Sequence, residues 1–388
     1  MTIPDLPRRL FSLDVLRGLT IAFMIMVNNN GGSEAWAPMH HAVWNGMTAT
    51  DLVFPTFLFV VGVSIVFAYQ ARLARGEAPL KLARHTLQRA VLLSFFGILV
   101  NTFPSFEMDH LRFYGVLQRI ALCYLLVSLF YLFDRRLWTK IIALAVSLLG
   151  YWALMTLVPV PGAGLPGRDV KLLDKDQNIV AWVDRQLMPG HLYESWNDHN
   201  TRDPEGLLST LPALGTTLLG LLTALWLRSE REARRKALGL LAGSVACLAL
   251  GYLWSLWFPL NKKLWTSSYV LVAAGYALGI FALIYWVLDV KLLCREGRAR
   301  WLVWPWLVFG SNAIAAYLIS ELGMNILGET RWMDTPGHDI NTYTWYNQHV
   351  TGWITNPGWH AFSFSFSTML LCFLPVCWMY RKKIFWKI

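Results

Sequence analysis

Apolar residues fill most of this chain in runs of about 20 residues, the length that crosses a bilayer as a helix. A helix suits that environment because it satisfies its own backbone hydrogen bonds in lipid. We therefore predict an all-α, polytopic integral membrane helical bundle of about ten transmembrane helices, forming a single domain over residues 1–388. The ten predicted spans are 12–30, 51–71, 87–103, 113–133, 139–158, 207–227, 236–258, 268–289, 301–321 and 359–380.

Composition and charge agree with a membrane location. Hydrophobic residues make up 55% of the chain and charged residues only 15%, against about 25% charged in soluble domains. Under the ten-span topology, 23 of the 34 lysines and arginines lie in alternate connections on one side and 9 on the other. The positive-inside rule then places both termini in the cytoplasm. The net charge of +10 suits anionic membrane lipids as partners, so nucleic acid is not expected.

Three connections face outward in this topology: residues 31–50, 159–206 and 322–358. The last two are long, and connections of that size usually bind something. Their aromatic, Asn and Asp residues suit a sugar ligand, although an interfacial aromatic belt would use the same rings. Residues 179–187 could form a short amphipathic helix on the membrane surface. The five cysteines lie in spans or an inner connection, and no Cys/His spacing suits a metal site.

Ionisable side chains inside spans are costly and are candidates for function. Asp14 and Arg17 lie three residues apart, on one helical face, either as a mutually neutralised pair or as part of a ligand site. Arg119 lies about two turns into its span, beside Gln118. We expect these two to face a polar cavity, where the arginine either pairs with a carboxylate or meets an anionic ligand.

The outward loop 31–50 carries the strongest candidate for catalysis, His41. A histidine near its ordinary pKa can take a proton from an attacking amine or hydroxyl, or act as the nucleophile itself. An exposed loop histidine without a role is the alternative. The neighbours favour chemistry, because an amide could stabilise an oxyanion and Asp51 could orient the imidazole. These neighbours are Asn28, Asn29, Asn30, His40, Trp44, Asn45 and Asp51.

Other polar clusters interrupt or border the spans. Glu205 precedes the sixth span, where it suits either a helix N-terminus or an amino-sugar ligand. Lys262 and Asn312 lie in similar polar interruptions. Because most of these clusters face outward in a small bundle, we expect Asn29, Trp44, Asn45, Glu205, Lys262 and Asn312 to converge on one substrate site.

Several of these segments resemble one known family, the heparan-α-glucosaminide N-acetyltransferases. The first block, Ser12-Leu-Asp14-Val-Leu-Arg17-Gly18, is similar to the family's Ser-[Leu/Val]-Asp-x-x-Arg-Gly signature. The second resembles its catalytic loop and comprises Val27-Asn28, His41-Ala-Val-Trp44-Asn45-Gly46 and Asp51-Leu-Val-Phe-Pro55. Further similar blocks are Gly115-Val-Leu-Gln118-Arg119, Asp203-Pro204-Glu205-Gly206 and Asn261-Lys262-Lys263-Leu-Trp265. The resemblance extends over most of the chain, from residue 9 to about 320.

The resemblance implies a catalytic pair, His41 and Asn28, with Asn29 or Asn30 as alternatives because the intervening loop is about two residues longer here. It also implies acetyl-CoA as the donor, bound among the spans. Asp14, Arg17, Gln118 and Arg119 are then candidates for binding it. This chain resembles a compact bacterial form without the extended lumenal N-terminal region, so we expect the cytoplasmic (inner) membrane and a free or oligomeric amino sugar.

The function expected from the sequence is therefore acetyl transfer from cytoplasmic acetyl-CoA to the amino group of a glucosamine-type sugar at the outer face. Two alternatives stay open: a sugar transporter that uses the same cavity without chemistry, and an O-acyltransferase of a glycan or lipid. The oligomeric state also stays open, a homodimer included, and so does the choice between a ternary complex and an acetyl-histidine intermediate.

Overall fold

Long apolar helices build nearly the whole molecule. The computed structural model of the chain describes residues 10–104, 106, 111–193, 201–294, 297–335 and 338–386. Among the basic residues that support the predicted topology, Arg8, Arg9, Arg295 and Lys387 lie outside the described residues.

The N-terminal half contributes a first set of helices and a short surface helix. The first helix ends in the polar loop that carries His41, and the second begins just after the short 3₁₀ turn Thr50–Leu52. The bounds are α1 Phe11–Asn28, α2 Val53–Leu73, α3 Pro79–Thr102, α4 Val116–Phe133, α5 Leu137–Ala145, α6 Tyr151–Leu157 and α7 Ile179–Leu187. A π-helical segment, Val146–Gly150, joins α5 to α6. The predicted short helix in the 159–206 connection is confirmed as α7.

The C-terminal half completes the bundle and adds a hairpin in the connection 322–358. The bounds are α8 Thr210–Leu227, α9 Ala233–Ser255, α10 Ser267–Tyr285, α11 Trp304–Ser311, α12 Ala313–Glu329, β1 Arg331–Thr335, β2 His338–Asn341, α13 Thr342–Val350 and α14 Pro357–Arg381. The two strands pair antiparallel, with Arg331 opposite Asn341.

The predicted all-α polytopic bundle is confirmed. Within the described residues, eight helical stretches are long and apolar enough to cross a membrane, or nine when α11 and α12 count as one span bent by 81° at Asn312. The remaining predicted span, 87–103, coincides with α3, whose first half carries Lys81, Arg84 and Arg89 and is therefore less apolar. A helix thus lies at every predicted position.

Glycines bring two pairs of helices into close contact. A Cβ at Gly62 would collide with the carbonyl of Thr217, so α2 and α8 cross backbone to backbone. A Cβ at Gly18 would likewise collide with the carbonyl of Trp306 in α11. Small residues permit such approaches, which supply packing contacts where lipid offers no hydrophobic driving force. These crossings hold α1 and α2, the two helices that flank the His41 loop, against the rest of the bundle.

The topology can be tested with single introduced cysteines. We expect Ser33→Cys, in the loop after α1, and Gln348→Cys, in α13, to react with a membrane-impermeant thiol reagent in intact cells. Glu230→Cys, in the connection between α8 and α9, is the matched inner control and should react only after lysis. Labelling of Glu230→Cys in intact cells, or protection of either outer position, would contradict the topology.

Candidate active site

His41 is bound to Asp51 by a short hydrogen bond, with 2.6 Å between His41 Nδ1 and Asp51 Oδ1. A carboxylate only accepts, so Nδ1 carries the proton and Nε2 keeps its lone pair. The His41 side chain is 46% exposed, whereas Asp51 is 1% exposed. A buried acid therefore orients an accessible imidazole so that Nε2 is its basic nitrogen, the arrangement used in Ser-His-Asp enzymes.

Asp51 also organises the loop around His41. Its Oδ2 accepts hydrogen bonds from the backbone N–H of Ala42 at 3.0 Å and of Thr48 at 2.9 Å, and from the Thr48 hydroxyl at 3.1 Å. Its own carbonyl accepts from the Tyr269 hydroxyl on α10 at 2.5 Å. One carboxylate at the entrance to α2 thus closes the loop and fixes the imidazole.

His40, by contrast, has both ring nitrogens engaged by the protein. Its Nε2 donates to the carbonyl of Ala35 at 3.0 Å, and its Nδ1 accepts from Asn30 Nδ2 at 3.2 Å. Asn30 also donates to the carbonyl of Met39. This histidine joins the loop to the end of α1, whereas Nε2 of His41 has the Lys262 side chain as its hydrogen-bond partner among the described residues.

Lys262 places a positive charge beside the imidazole. Its Nζ lies 3.4 Å from Nδ1 and 3.3 Å from Nε2 of His41, so with Nδ1 protonated the ammonium is placed to donate a hydrogen bond to Nε2. Burial and the Lys262 charge lower the pKa of His41, and together they outweigh the hydrogen bond and negative charge of Asp51, which raise it. The imidazole therefore stays neutral, and basic, at a lower pH than a free histidine.

The three asparagines at the end of α1 have different partners. Asn28 is exposed, and its Nδ2 donates to Glu321 Oε1 on α12 at 2.9 Å. Asn29 is buried and donates to Ser320 Oγ at 3.2 Å and to the carbonyl of Ile25. The amide oxygen of Asn30 accepts from the backbone N–H of Gly32, whereas those of Asn28 and Asn29 accept from none of the described residues, and of these two only Asn28 is exposed.

An acidic pair with its arginine lies nearby, in front of α8. Arg112 binds Asp203 through Nε at 2.8 Å and Nη2 at 2.6 Å, and binds Glu205 at 2.6 Å. Burial opposes ionisation of Glu205, but the charges of Arg112, Lys262 and Arg119 leave its pKa lowered. Glu205 is thus an ionised carboxylate already neutralised by Arg112, and its charge reaches both Lys262 and His41.

Trp44 and Asn45 attach the His41 loop to two neighbouring segments of the chain. The indole N–H of Trp44 donates to the carbonyl of Leu173 at 2.8 Å, and Arg202 lies 5.1 Å above its ring. Asn45 Oδ1 accepts from Asn261 Nδ2 at 3.1 Å, next to Lys262. The long 159–206 connection and the turn before α10 therefore hold the loop against the bundle.

A cavity of about 700 Å³ lies within the bundle between α1, α2, α3, α4 and α12. Its walls are mainly apolar, and they also carry basic side chains. The basic group comprises Arg17, Arg72, His85 and Arg89, and the apolar group includes Met24, Phe54, Phe57, Leu117, Ile120 and Tyr317. Arg17 is paired with Asp14 at 2.6 Å and also donates to the carbonyl of Gly310.

The candidates predicted for donor binding occupy different places. Arg17 lines the cavity with Asp14 beside it. Arg119 does not: it is 1% exposed and donates to the carbonyl of Gly206 at 2.9 Å and to Ser209 at 2.5 Å. Gln118 lies in a separate groove of about 380 Å³ between α3 and α4.

The predicted substrate residue Asn312 binds the backbone of Ile384 and Trp386 in the C-terminal segment.

Two features of the site were missed in the sequence. Tyr124 and Arg89, which lie together at the cavity wall, were not singled out because the apolar pattern does not show which helix faces meet. Glu321 was also missed, although an ionisable residue at the end of the predicted span 301–321 was a usable signal.

The fold and site define a polytopic membrane protein with a polar cluster built around a histidine–aspartate pair and a cavity with a basic end. A family model of the heparan-alpha-glucosaminide N-acetyltransferase catalytic region matches residues 9–260. The chain belongs to that family.

Two curated relatives have similar sequences along nearly the whole chain. Heparan-alpha-glucosaminide N-acetyltransferase of Homo sapiens is 29% identical over 433 aligned residues, which cover 99% of this chain. The Mus musculus protein of the same name is 27% identical over 430 residues, covering 98% of this chain. The alignment covers 60% of each relative, so this chain corresponds to part of their length.

The position of Lys262 predicts a shifted pH profile. Lys262→Met removes a charge that lowers the pKa of His41, so that pKa should rise. Because the protonated imidazole cannot act as a base, the acid limb of kcat/KM for acyl transfer should move to higher pH. Lys263→Met is the matched control and should leave the limb in place. An unchanged limb in Lys262→Met would exclude electrostatic control of His41 by this lysine.

Proposed function

We propose that this protein transfers the acetyl group of cytoplasmic acetyl-CoA to the amino group of a glucosamine-type sugar at the outer face of the membrane. The observation that carries the proposal is the His41–Asp51 pair, which holds an accessible imidazole with Nε2 as its basic nitrogen, facing the Lys262 side chain at 3.3 Å. A transporter needs no such oriented base. The relatives' names supply the type of reaction.

The cavity suits the donor. Ligand cavities usually measure about 300–1,000 Å³, and this one falls within that range at about 700 Å³. Arg72, His85 and Arg89 at its basic end would meet the phosphates of CoA, because arginine recognises phosphate through charge-assisted hydrogen bonds. Phe54, Phe57 and Ile120 would pack along the pantetheine arm.

The direction of α1 relates the basic end to the outer site. Arg17 lines the cavity near the start of this helix, Met24 lines it two turns later, and Asn28 ends the helix beside the loop of His41. With the N-terminus in the cytoplasm, phosphates would enter from the cytoplasmic side and the thioester would point outward. This arrangement overcomes the physical problem that a charged cofactor and a polar acceptor lie on opposite sides of an apolar barrier.

The chemistry then follows from the imidazole. The acceptor arrives as an ammonium and loses a proton to give the free amine, which His41 Nε2 assists. The nitrogen bonds to the acetyl carbonyl carbon, the carbon–sulfur bond breaks, and CoA leaves as the thiol after taking a second proton from nitrogen. One proton is released overall. The same lone pair could instead accept the acetyl group, in which case protein incubated without acceptor would retain label on His41.

A direct assay tests the proposal. Purified protein is incubated with acetyl-CoA labelled in the acetyl group and with glucosamine, and the sugar is analysed for N-acetylglucosamine. Glucose and a lipid extract serve as parallel acceptors. Labelled N-acetylglucosamine supports the proposal, whereas label recovered only on hydroxyl groups would replace it with O-acyl transfer. Uptake of unmodified glucosamine without any acetylation would replace it with transport.

The two adjacent histidines provide a matched test of the mechanism. We expect His41→Ala to lower turnover about 100-fold or more, the usual effect of losing a positioned acid–base group. Binding of CoA should persist, since the imidazole serves the thioester and not the distant phosphates. Measurements are kcat by product formation and Kd by calorimetry.

His40→Ala is the control. It removes an imidazole that holds Ala35 and Asn30, so it should lower thermal stability while reducing turnover far less. Equal losses of turnover in both variants at equal stability would show that the loop, and not the His41 side chain, carries the effect.

A further inference from the structure

Two neighbouring hydrogen bonds join the outer part of α1 to α12. Asn28 binds Glu321 at 2.9 Å, and Asn29 binds Ser320 at 3.2 Å. The next residue, Asn30, binds His40, the immediate neighbour of His41. Three consecutive asparagines therefore link Glu321 to the loop of the candidate base.

Helical spacing places Asn28 and Glu321 beyond the outer end of the cavity. Met24 and Tyr317 line the cavity, and Asn28 and Glu321 each lie four residues further along the same two helices. Residues four apart share a helical face. The Asn28–Glu321 pair therefore continues the cavity wall by one turn, toward the side where the acceptor must meet the thioester.

The charge environment of Glu321 differs from that of the other carboxylates near the site. Asp203 and Glu205 are both paired with Arg112, and Asp51 is paired with His41. In the part of the chain that the structure describes, no lysine or arginine lies within ion-pair distance of Glu321. Its Oε1 accepts from Asn28, and its Oε2 accepts from none of the described residues. A partly buried carboxylate without a cationic partner favours the binding of a cation.

The hydrogen bond also orients the amide of Asn28. Only Nδ2 can donate to a carboxylate oxygen, so Nδ2 faces Glu321 and Oδ1 is the amide's remaining acceptor. The pair therefore presents two oxygen acceptors, Glu321 Oε2 and Asn28 Oδ1, to a ligand. A protonated primary amine supplies matching N–H donors and a positive charge, whereas a hydroxyl supplies one donor and no charge.

We propose that Glu321 and Asn28 form the subsite that binds the ammonium group of the acceptor and selects an amine over a hydroxyl. This inference rests on the proposed function and assigns a recognition element to it. Glu321 and Asn28 accept two of the ammonium protons, and the third is lost toward His41. A neutral sugar would leave the carboxylate uncompensated, which is the stronger form of discrimination in buried polar sites.

Glu321→Gln tests the subsite with little structural change. Glutamine keeps an oxygen for Asn28 Nδ2 but removes the negative charge. We expect KM for glucosamine to rise about tenfold or more, as for loss of a charge-assisted hydrogen bond, with kcat changed much less and Kd for CoA unchanged. Glu321→Ala should also lower kcat, because Asn28 loses its orienting partner. Ser320→Ala, one residue away, is the control and should leave the KM for glucosamine unchanged.

A second measurement uses the unaltered protein. We expect 2-deoxyglucose, which lacks the amine, to compete with glucosamine at least about tenfold more weakly than a second amino sugar does. Equal competition by the neutral sugar would overturn the subsite, as would an unchanged KM for glucosamine in folded Glu321→Gln. Absence of any N-acetylated product from the unaltered protein would instead overturn the proposed function, so the two failures are distinguishable.

Discussion

The buried carboxylate of Asp51 is the constraint on which the candidate active site depends. It is almost fully buried, yet it receives the imidazole of His41, two backbone N–H groups and a hydroxyl. A buried carboxylate without such donors would cost several kcal/mol, so the loop must adopt the conformation that supplies them. The same contacts that satisfy Asp51 leave Nε2 of His41 as the accessible nitrogen. Loop structure and candidate chemistry thus have one physical cause.

Helix α1 connects the basic part of the cavity to the loop of His41. Its early part carries Arg17, which lines the basic part of the cavity, and its last residue is Asn28, beside Glu321. Glycine contacts pack this helix closely against α11. In the proposed reaction, the separation of donor and acceptor would be set by the length of one packed helix, which favours accurate placement of reacting groups.

The sequence predicts the helices well and the site in part. Runs of apolar residues gave the ten helix positions because lipid imposes that pattern on each span separately. The loop around His41 and Asp51 was also recognisable, since its polar residues are close together in the chain. The count by length and apolarity is lower only because α3 begins with basic residues and α11–α12 is bent.

The sequence does not show which neighbour each face of a helix meets in the bundle. Gln118 and Arg119 were expected in one cavity, but adjacent helical residues point about 100° apart. In the structure the glutamine faces α3 and the arginine supports the turn before α8. Asn312 was grouped with the residues expected at the substrate site because it lies in a similar polar interruption. In the structure it binds the C-terminal segment. Likewise, Glu321 meets Asn28 across 293 residues, a distance that local pattern does not bridge.

In the proposed reaction, one cavity lets a donor on one side of the membrane acetylate an acceptor on the other. Proteoliposomes of known protein orientation test it, with labelled acetyl-CoA confined to the side of the termini and glucosamine confined to the opposite side. We expect labelled N-acetylglucosamine on the glucosamine side and none when the two substrates exchange sides. Product formed only when both substrates share a compartment would contradict it.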